Sequence, residues 1–213
     1  MLPIPRQQTN LDQSIAKARR ELPHADPHAI AGRTDVAYAG AGEGRGQFRV
    51  RYLDAYYTIT YPEGRVHVLA SGEVAPALTT AILLHYLLTA DGSPVVGQWK
   101  TFRELPDAFP YYAAFTGRSV TPLAEAFGND LEVFAAAGKG LGGEPARTAD
   151  ASFYFRVLPK LPMMVQLWLK DEEMPASANI LFDASAPHQL PIEDLSAVAA
   201  TLSSRLRKLA GKR

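Results

Sequence analysis

The sequence predicts an α+β fold: antiparallel sheet segments packed with about four to five helices in a single domain. Three observations lead there. Segments rich in β-branched and aromatic residues fall into two groups, residues 47–69 and 151–182, instead of alternating one by one with helical segments. That grouping favours antiparallel sheet over a doubly wound parallel one. The chain has 213 residues, the size of one domain that buries roughly 70% of the surface its unfolded form exposes. Neither an internal repeat nor a linker divides it, so residues 10–210 read as one globular body behind an N-terminal tail at 1–9.

Asn10 or Asp12 is positioned to cap a first helix, in which Leu11, Ile15, Ala18 and Leu22 recur at helical spacing before Pro23 ends it. A short helix is expected over 27–31. Gly40, Gly42, Gly44 and Gly46 follow, and so many glycines in one short run predict a flexible loop. Residues 56–61 and 65–69 face each other across Pro62-Glu63-Gly64 as a hairpin, with residues 48–53 as the neighbouring strand. Residues 75–88 carry Pro76 in a first turn and then almost nothing polar, which predicts a buried helix.

An aromatic cluster, Phe109, Tyr111, Tyr112 and Phe115, precedes a helix expected over 122–137, with Thr121 as its cap and Gly138 as its stop. Strands are expected at 151–157 and 163–170, joined by Leu158-Pro159-Lys160-Leu161-Pro162, with a third at 179–182. The last helix starts at Pro191, places Glu193 and Asp194 first and Arg205, Arg207 and Lys208 last, and repeats Ile192, Leu195, Val198, Leu202, Leu206 and Leu209.

Composition excludes several classes of function. There is no cysteine, hence no disulfide, no thiolate metal site, no Fe–S cluster on this chain and no cysteine nucleophile. Lys plus Arg and Asp plus Glu both number 22, so no net field draws in nucleic acid or an anionic membrane. The longest apolar stretch is too short to span a bilayer, and MLPIPRQQTN lacks the pattern of a secretion signal. The expectation is a soluble cytoplasmic protein with neither nucleic-acid nor membrane partners.

Two glycine-rich runs mimic nucleotide loops and fail on context. The first precedes a strand, whereas a phosphate loop opens a helix. The second, residues 138–143, follows a helix, where capping glycines belong. His24 and His28 are separated by Pro27 and share no rigid face with an acid, so no metal site is read from them. His85 shares a helix face with Leu78, Ala81, Ile82 and Leu88, which turns its ring into the protein as either a core histidine or a ligand. Asp171-Glu172-Glu173 stand where a strand containing Trp168 ends. They read as a solvated turn, or as an acid/base pair or cation site completed by Asp183. Arg103-Glu104, set between Trp99-Lys100-Thr101-Phe102 and Leu105-Pro106, reads as a partly buried pair serving either a salt bridge to the acidic run or a ligand. No nucleophile elbow, zinc-protease helix, Walker loop or EF-hand loop is present.

These motifs together carry a resemblance. The segments are Leu84-His85-Tyr86-Leu87, Gly97-Gln98-Trp99, Phe102-Arg103-Glu104-Leu105-Pro106, Pro122-Leu123-Ala124 with Phe127-Gly128, Leu141-Gly142-Gly143, Leu158-Pro159 with Pro162, Trp168, Asp171-Glu172-Glu173 with Pro175-Ala176, and Leu181-Phe182-Asp183 with Leu190-Pro191. Over roughly residues 10 to 209 the chain resembles a bacterial and archaeal family known as domain of unknown function 3786. Some relatives carry a cysteine-rich Fe–S module similar to that of corrinoid Fe–S proteins, so the resemblance implies a setting in anaerobic one-carbon or corrinoid metabolism. This chain reads Lys170 where the family leads one to expect a small residue, and Met174 where an aromatic is expected.

The leading expectation is a ligand-binding or accessory protein whose pocket is lined by His85, Trp99, Trp168 and the aromatics. Arg103, Glu104, Asp171, Glu172, Glu173 and Asp183 would supply its polarity. A corrinoid or another tetrapyrrole is the ligand that the resemblance implies. The alternative is an enzyme using Glu172 or Glu173 as acid or base with Asp183 as the orienting partner and Mg²⁺ or Ca²⁺ assisting, and it requires those carboxylates to converge in a cleft. A third reading is a module that docks a redox or methyl-transfer protein.

Overall fold

The computed structural model describes residues 5–211, and internal contacts group the chain into two units, Met1–Ser93 with His188–Leu190, and Pro94–Pro187 with Pro191–Arg213. Each is an assembly of helices with one antiparallel sheet, so the α+β class holds in both. All five expected helices exist, the fourth of them in two pieces.

In the first unit, α1 (Pro5–Glu21) begins ahead of the expected cap, so Asn10 and Asp12 lie inside the helix and residues 5–9 of the expected tail are helical. Ile15 and Ala18 are buried, and Leu22 is buried in the 3₁₀ turn that Pro23 imposes. α2 (Pro27–Thr34) is capped by Asp26, whose carboxylate accepts the His28 N–H at 3.0 Å, and runs beyond the expected residue 31.

Next comes a meander of four consecutive antiparallel strands, β1 (Ala37–Gly42), β2 (Arg45–Tyr52), β3 (Ala55–Tyr61) and β4 (Val66–Val68). The glycine run expected to be a flexible loop is therefore a hairpin. Gly42 at φ 83° and Gly44 at φ 70° flank Glu43 at φ 50° in its turn, a left-handed path that glycine follows without steric cost. Along β2, Phe48, Val50 and Tyr52 are buried while Gln47, Arg49 and Arg51 face water, the period of two that one covered face requires.

α3 (Ala77–Thr89) buries Thr79 through Leu84, Tyr86 and Leu87. A helix covered nearly all round has no amphipathic pattern to display, which is why its sequence reads as one apolar run. The Tyr86 hydroxyl donates to the Thr34 carbonyl at 2.7 Å, and the Arg33 guanidinium donates to the carbonyls of Leu87 and Leu88 at 2.9 and 3.3 Å, serving the last turn of α3 in place of a glycine cap.

Three residues from far along the chain complete this unit. The Asp91 N–H donates to the His188 carbonyl at 3.2 Å, the Thr89 hydroxyl to the Gln189 carbonyl at 3.2 Å, and the Gln189 amide to the Ser93 carbonyl at 3.0 Å. The Asp91 carboxylate lies 2.8 Å from His188 Nδ1. Hydrogen bonds from Ser93, followed by that of His188, lower the Asp91 pKa from 3.8 to about 2. Because the folded pKa is depressed, this contribution to stability is present above the unfolded value and lost as pH falls toward 2. In a carbon-detected NMR titration the Asp91 carboxyl should show a midpoint near 2, and Ser93→Ala should move it back toward 3.8. A midpoint unchanged by that substitution would refute the assignment of cause.

In the second unit, β5 (Trp99–Thr101) runs into a 3₁₀ turn at Phe102–Glu104. The helical stretch after it holds α4 (Tyr112–Phe115), a π-helical turn at Thr116–Val120 and α5 (Thr121–Phe127), followed after a break by α6 (Leu131–Gly140). The helix expected over 122–137 is thus divided. Thr121 is inside a helical run instead of capping one. Gly128 and Asn129 interrupt it, and Asp130 starts α6 by accepting the Val133 N–H at 2.9 Å. Gly138 does not end α6. It lies within the helix against the Phe153 ring, where a Cβ would come within 2.7 Å of a ring carbon.

β6 (Glu144–Ala146), β7 (Ala151–Leu158), β8 (Leu161–Trp168) and β9 (Ser177–Asp183) join β5 in an antiparallel sheet ordered β5-β9-β8-β7-β6. β8 is buried from Leu161 to Leu167 because it is central and covered on both faces. α7 (Ile192–Leu209) buries Leu195, Val198, Leu202 and Leu206 at helical spacing, while Leu209, expected on that stripe, is 51% exposed.

Candidate ligand groove

β9 distributes the residues singled out in the sequence. Asp183 ends the strand opposite Trp99 of β5 and is fully buried. Its carboxylate accepts from the N–H groups of Val96 (3.0 Å), Gly97 (2.6 Å) and Ser185 (2.9 Å) and from the Ser185 hydroxyl (2.6 Å). Burial alone would raise its pKa, but these hydrogen bonds outweigh it and hold the group below the ordinary carboxylate range. A carboxylate so fully occupied anchors the 96–97 segment to β9.

The acidic run lies beyond the other end of the same strand. Asp171 Oδ1 accepts the N–H groups of Glu173 (2.9 Å) and Met174 (2.6 Å), and the Asp171 N–H returns to the Met174 carbonyl, closing a turn on which Glu172 and Glu173 are exposed. Six residue steps separate Ser177 from Asp183, about 20 Å at about 3.3 Å per residue. The convergence of carboxylates that the enzyme reading requires does not occur.

Nor do Arg103 and Glu104 form the partly buried pair expected. Both are exposed and point to different partners. Glu104 accepts the Thr101 N–H at 2.7 Å and the Thr101 hydroxyl at 2.8 Å and lies 3.5 Å from the Lys100 ammonium, contacts that lower its pKa, the Thr101 N–H foremost. The Arg103 guanidinium stands 5.8 Å from the centre of the Tyr112 ring. Trp99 meets the Tyr154 ring edge-on at 6.0 Å, and Trp168, half-buried, ends β8 opposite Ser177. Of the aromatic cluster, Phe115 is buried and stacked on Phe102, while Phe109 is 83% exposed. His85 belongs to the first unit, half-buried, with its Nε2 2.8 Å from the Ser14 hydroxyl on α1. Within the second unit, Asp183 and the acidic turn thus stand at opposite ends of β9, and Arg103 and Glu104 turn to separate partners.

A different set does converge. A groove of about 430 Å³ opens in the second unit, walled by Thr121, Ala124 and Glu125 of α5, Asn129 after it, Lys170, and Ala176, Ser177 and Ala178 at the start of β9. Two motif glycine and alanine positions shape it. A Cβ at Gly128 would collide with the Cβ of Ala176 and with the Ala124 carbonyl, so glycine there lets the 170–176 segment lie against the end of α5. The Lys170 N–H donates to the Gly128 carbonyl at 3.0 Å and fixes that contact.

The acidic turn thus shapes the segment that carries Lys170 and Ala176 into the wall. Lys170 and Glu125 are exposed along this groove, and neither forms an ion pair with the other or with any further charged group among the described residues. Thr121, Asn129 and Ser177 add hydroxyl and amide groups. No three His, Asp or Glu side chains among the described residues group as a metal site.

Sequence reasoning had Thr121 only as a helix cap and Lys170 only as a departure from a family pattern. The signal that locates the groove is the small pair Gly128 and Ala176, which marks where two segments approach closely. Among the described residues no helix is long and apolar enough to cross a membrane. A family model described as Domain of unknown function (DUF3786) matches residues 26–205. Neither a curated protein nor a solved structure matches the chain.

Proposed function

We propose, from the premise that the chain belongs to the DUF3786 family, that it is a cytoplasmic ligand-binding or accessory protein whose second unit holds a small zwitterionic metabolite in the groove beside α5. The observation that carries this reading is that an ammonium, Lys170, and a carboxylate, Glu125, line the same groove with no ion-pair partner among the described residues. Opposite charges left apart on two walls complement a ligand that carries both signs, with Asn129, Thr121 and Ser177 available to its remaining polar groups. The groove's volume falls within the range of pockets for ordinary metabolites. Corrinoid-linked one-carbon metabolism is the setting suggested by the family resemblance.

The test is calorimetric titration with a panel of free amino acids, dicarboxylates and diamines, alongside cobalamin and haem. An amino-acid ligand should bind, and Lys170→Met and Glu125→Gln should each weaken it about tenfold, the effect of losing one charge-assisted hydrogen bond. Binding that both variants leave unchanged, or no binding at all, would overturn the groove reading. Uptake of cobalamin or haem with an altered visible spectrum would assign the ligand to the tetrapyrrole class instead.

A further inference from the structure

We propose that the first unit carries a second binding site, a cleft for a small aliphatic monocarboxylate between α1 and the start of α3. A cavity of about 520 Å³ lies there, lined by Asp12, Ile15 and Arg19 of α1 and by Val74, Ala75 and Thr80 on the other side. Arg19 is the recognition element. Its Nε donates to the Gly64 carbonyl at 3.1 Å, and its stem lies over Gly64, where a Cβ would stand 3.1 Å from Arg19 Cγ. Gly64 also holds φ +66°, so the residue that gives Arg19 its seat is held to glycine on two counts. The guanidinium plane is thereby oriented before any ligand arrives. No carboxylate pairs with it among the described residues. Its two Nη groups remain as a planar fork that matches a carboxylate with two parallel hydrogen bonds.

The rest of the lining specifies the body of the ligand behind its carboxylate. Ile15 and Ala75 form an apolar floor, and Val74 is 74% exposed at the edge. An aliphatic side chain left in water beside a cleft is covered at a gain when an alkyl chain enters, in proportion to the apolar area removed from water. Asp12 sets the charge limit: its carboxylate lines the same cleft as Arg19, so a second negative charge on the ligand meets repulsion. The fork, the apolar floor and that repulsion together describe a monoanion with a short hydrocarbon tail.

The experiment is methyl-detected NMR on the whole chain with hexanoate as probe, adipate as the dianionic comparison and hexanamide as the neutral one. Hexanoate should shift the Ile15 and Val74 methyls saturably, hexanamide and adipate at least about tenfold more weakly, and Arg19→Met should weaken hexanoate by a similar factor. Val74→Asp keeps Arg19 on Gly64 and should also abolish binding, so the proposal stays testable if Arg19→Met disturbs the fold. Shifts absent from both methyls, hexanoate binding unchanged in Val74→Asp, or equal binding of hexanoate and adipate would overturn it.

Discussion

Asp183→Ala is expected to destabilise the second unit by about 3 kcal/mol, the cost of stranding the two buried Ser185 donors together with the Val96 and Gly97 N–H groups when their shared acceptor is removed. Four donors now end on that carboxylate, and the side chain has no exposed surface through which water could replace it. The pH dependence comes from the direction of its shift. Since the folded pKa lies below the ordinary value, the unfolded chain binds the proton first. The stabilisation is complete above the unfolded pKa of about 3.9 and disappears as pH falls through the folded one. Urea unfolding followed by tryptophan fluorescence reports this unit directly, because Trp99 and Trp168 both belong to it. Wild type should lose stability steeply below about pH 4, while Asp183→Ala should start lower and respond less. Equal midpoints for the two proteins at pH 7 would show that the carboxylate does not anchor the 96–97 segment.

Phe102→Ala should cost about 3–5 kcal/mol in the same assay, the usual range for truncating an aromatic side chain in a core. Phe102 is fully buried, stacked on Phe115 with ring centres 4.1 Å apart and planes 8° from parallel, and 5.8 Å from the Phe182 ring. Its neighbour in sequence provides the control. Arg103→Ala removes an exposed contact with Tyr112 and should cost about 0.5–1 kcal/mol. The contrast separates two explanations of the Phe102-Arg103-Glu104 motif. A large loss at Phe102 with a small one at Arg103 makes the segment a structural corner, whereas the reverse would restore Arg103 as a buried, ligand-facing charge.

Elements whose buried positions follow a simple period were legible in the sequence. α7 shows Leu195, Val198, Leu202 and Leu206 on one stripe, and β2 alternates Phe48, Val50 and Tyr52 with charged residues. What the sequence did not disclose depends on contacts between distant residues. Glycines that permit a left-handed turn look the same as glycines that leave a loop free, so the β1–β2 hairpin was hidden. The break at Gly128 arises where Ala176, almost fifty positions later, approaches the end of α5. The placement of the candidate residues was hidden for a similar reason. Residue types gave Asp171, Glu172, Glu173 and Asp183 as one acidic group, but a strand's length places them at opposite ends of β9. Lys170 was visible only as an oddity until the fold put Glu125 along the same groove.

The three residues 188–190 that complete the first unit give its assembly a timetable. A ribosome issues residues 94–187 before it issues the segment that accepts from Asp91 and Thr89 and donates to Ser93. During translation, therefore, the first unit waits with those groups hydrated while every strand of the second unit's sheet emerges. A nascent chain halted anywhere short of His188 carries a first unit still open at that seam.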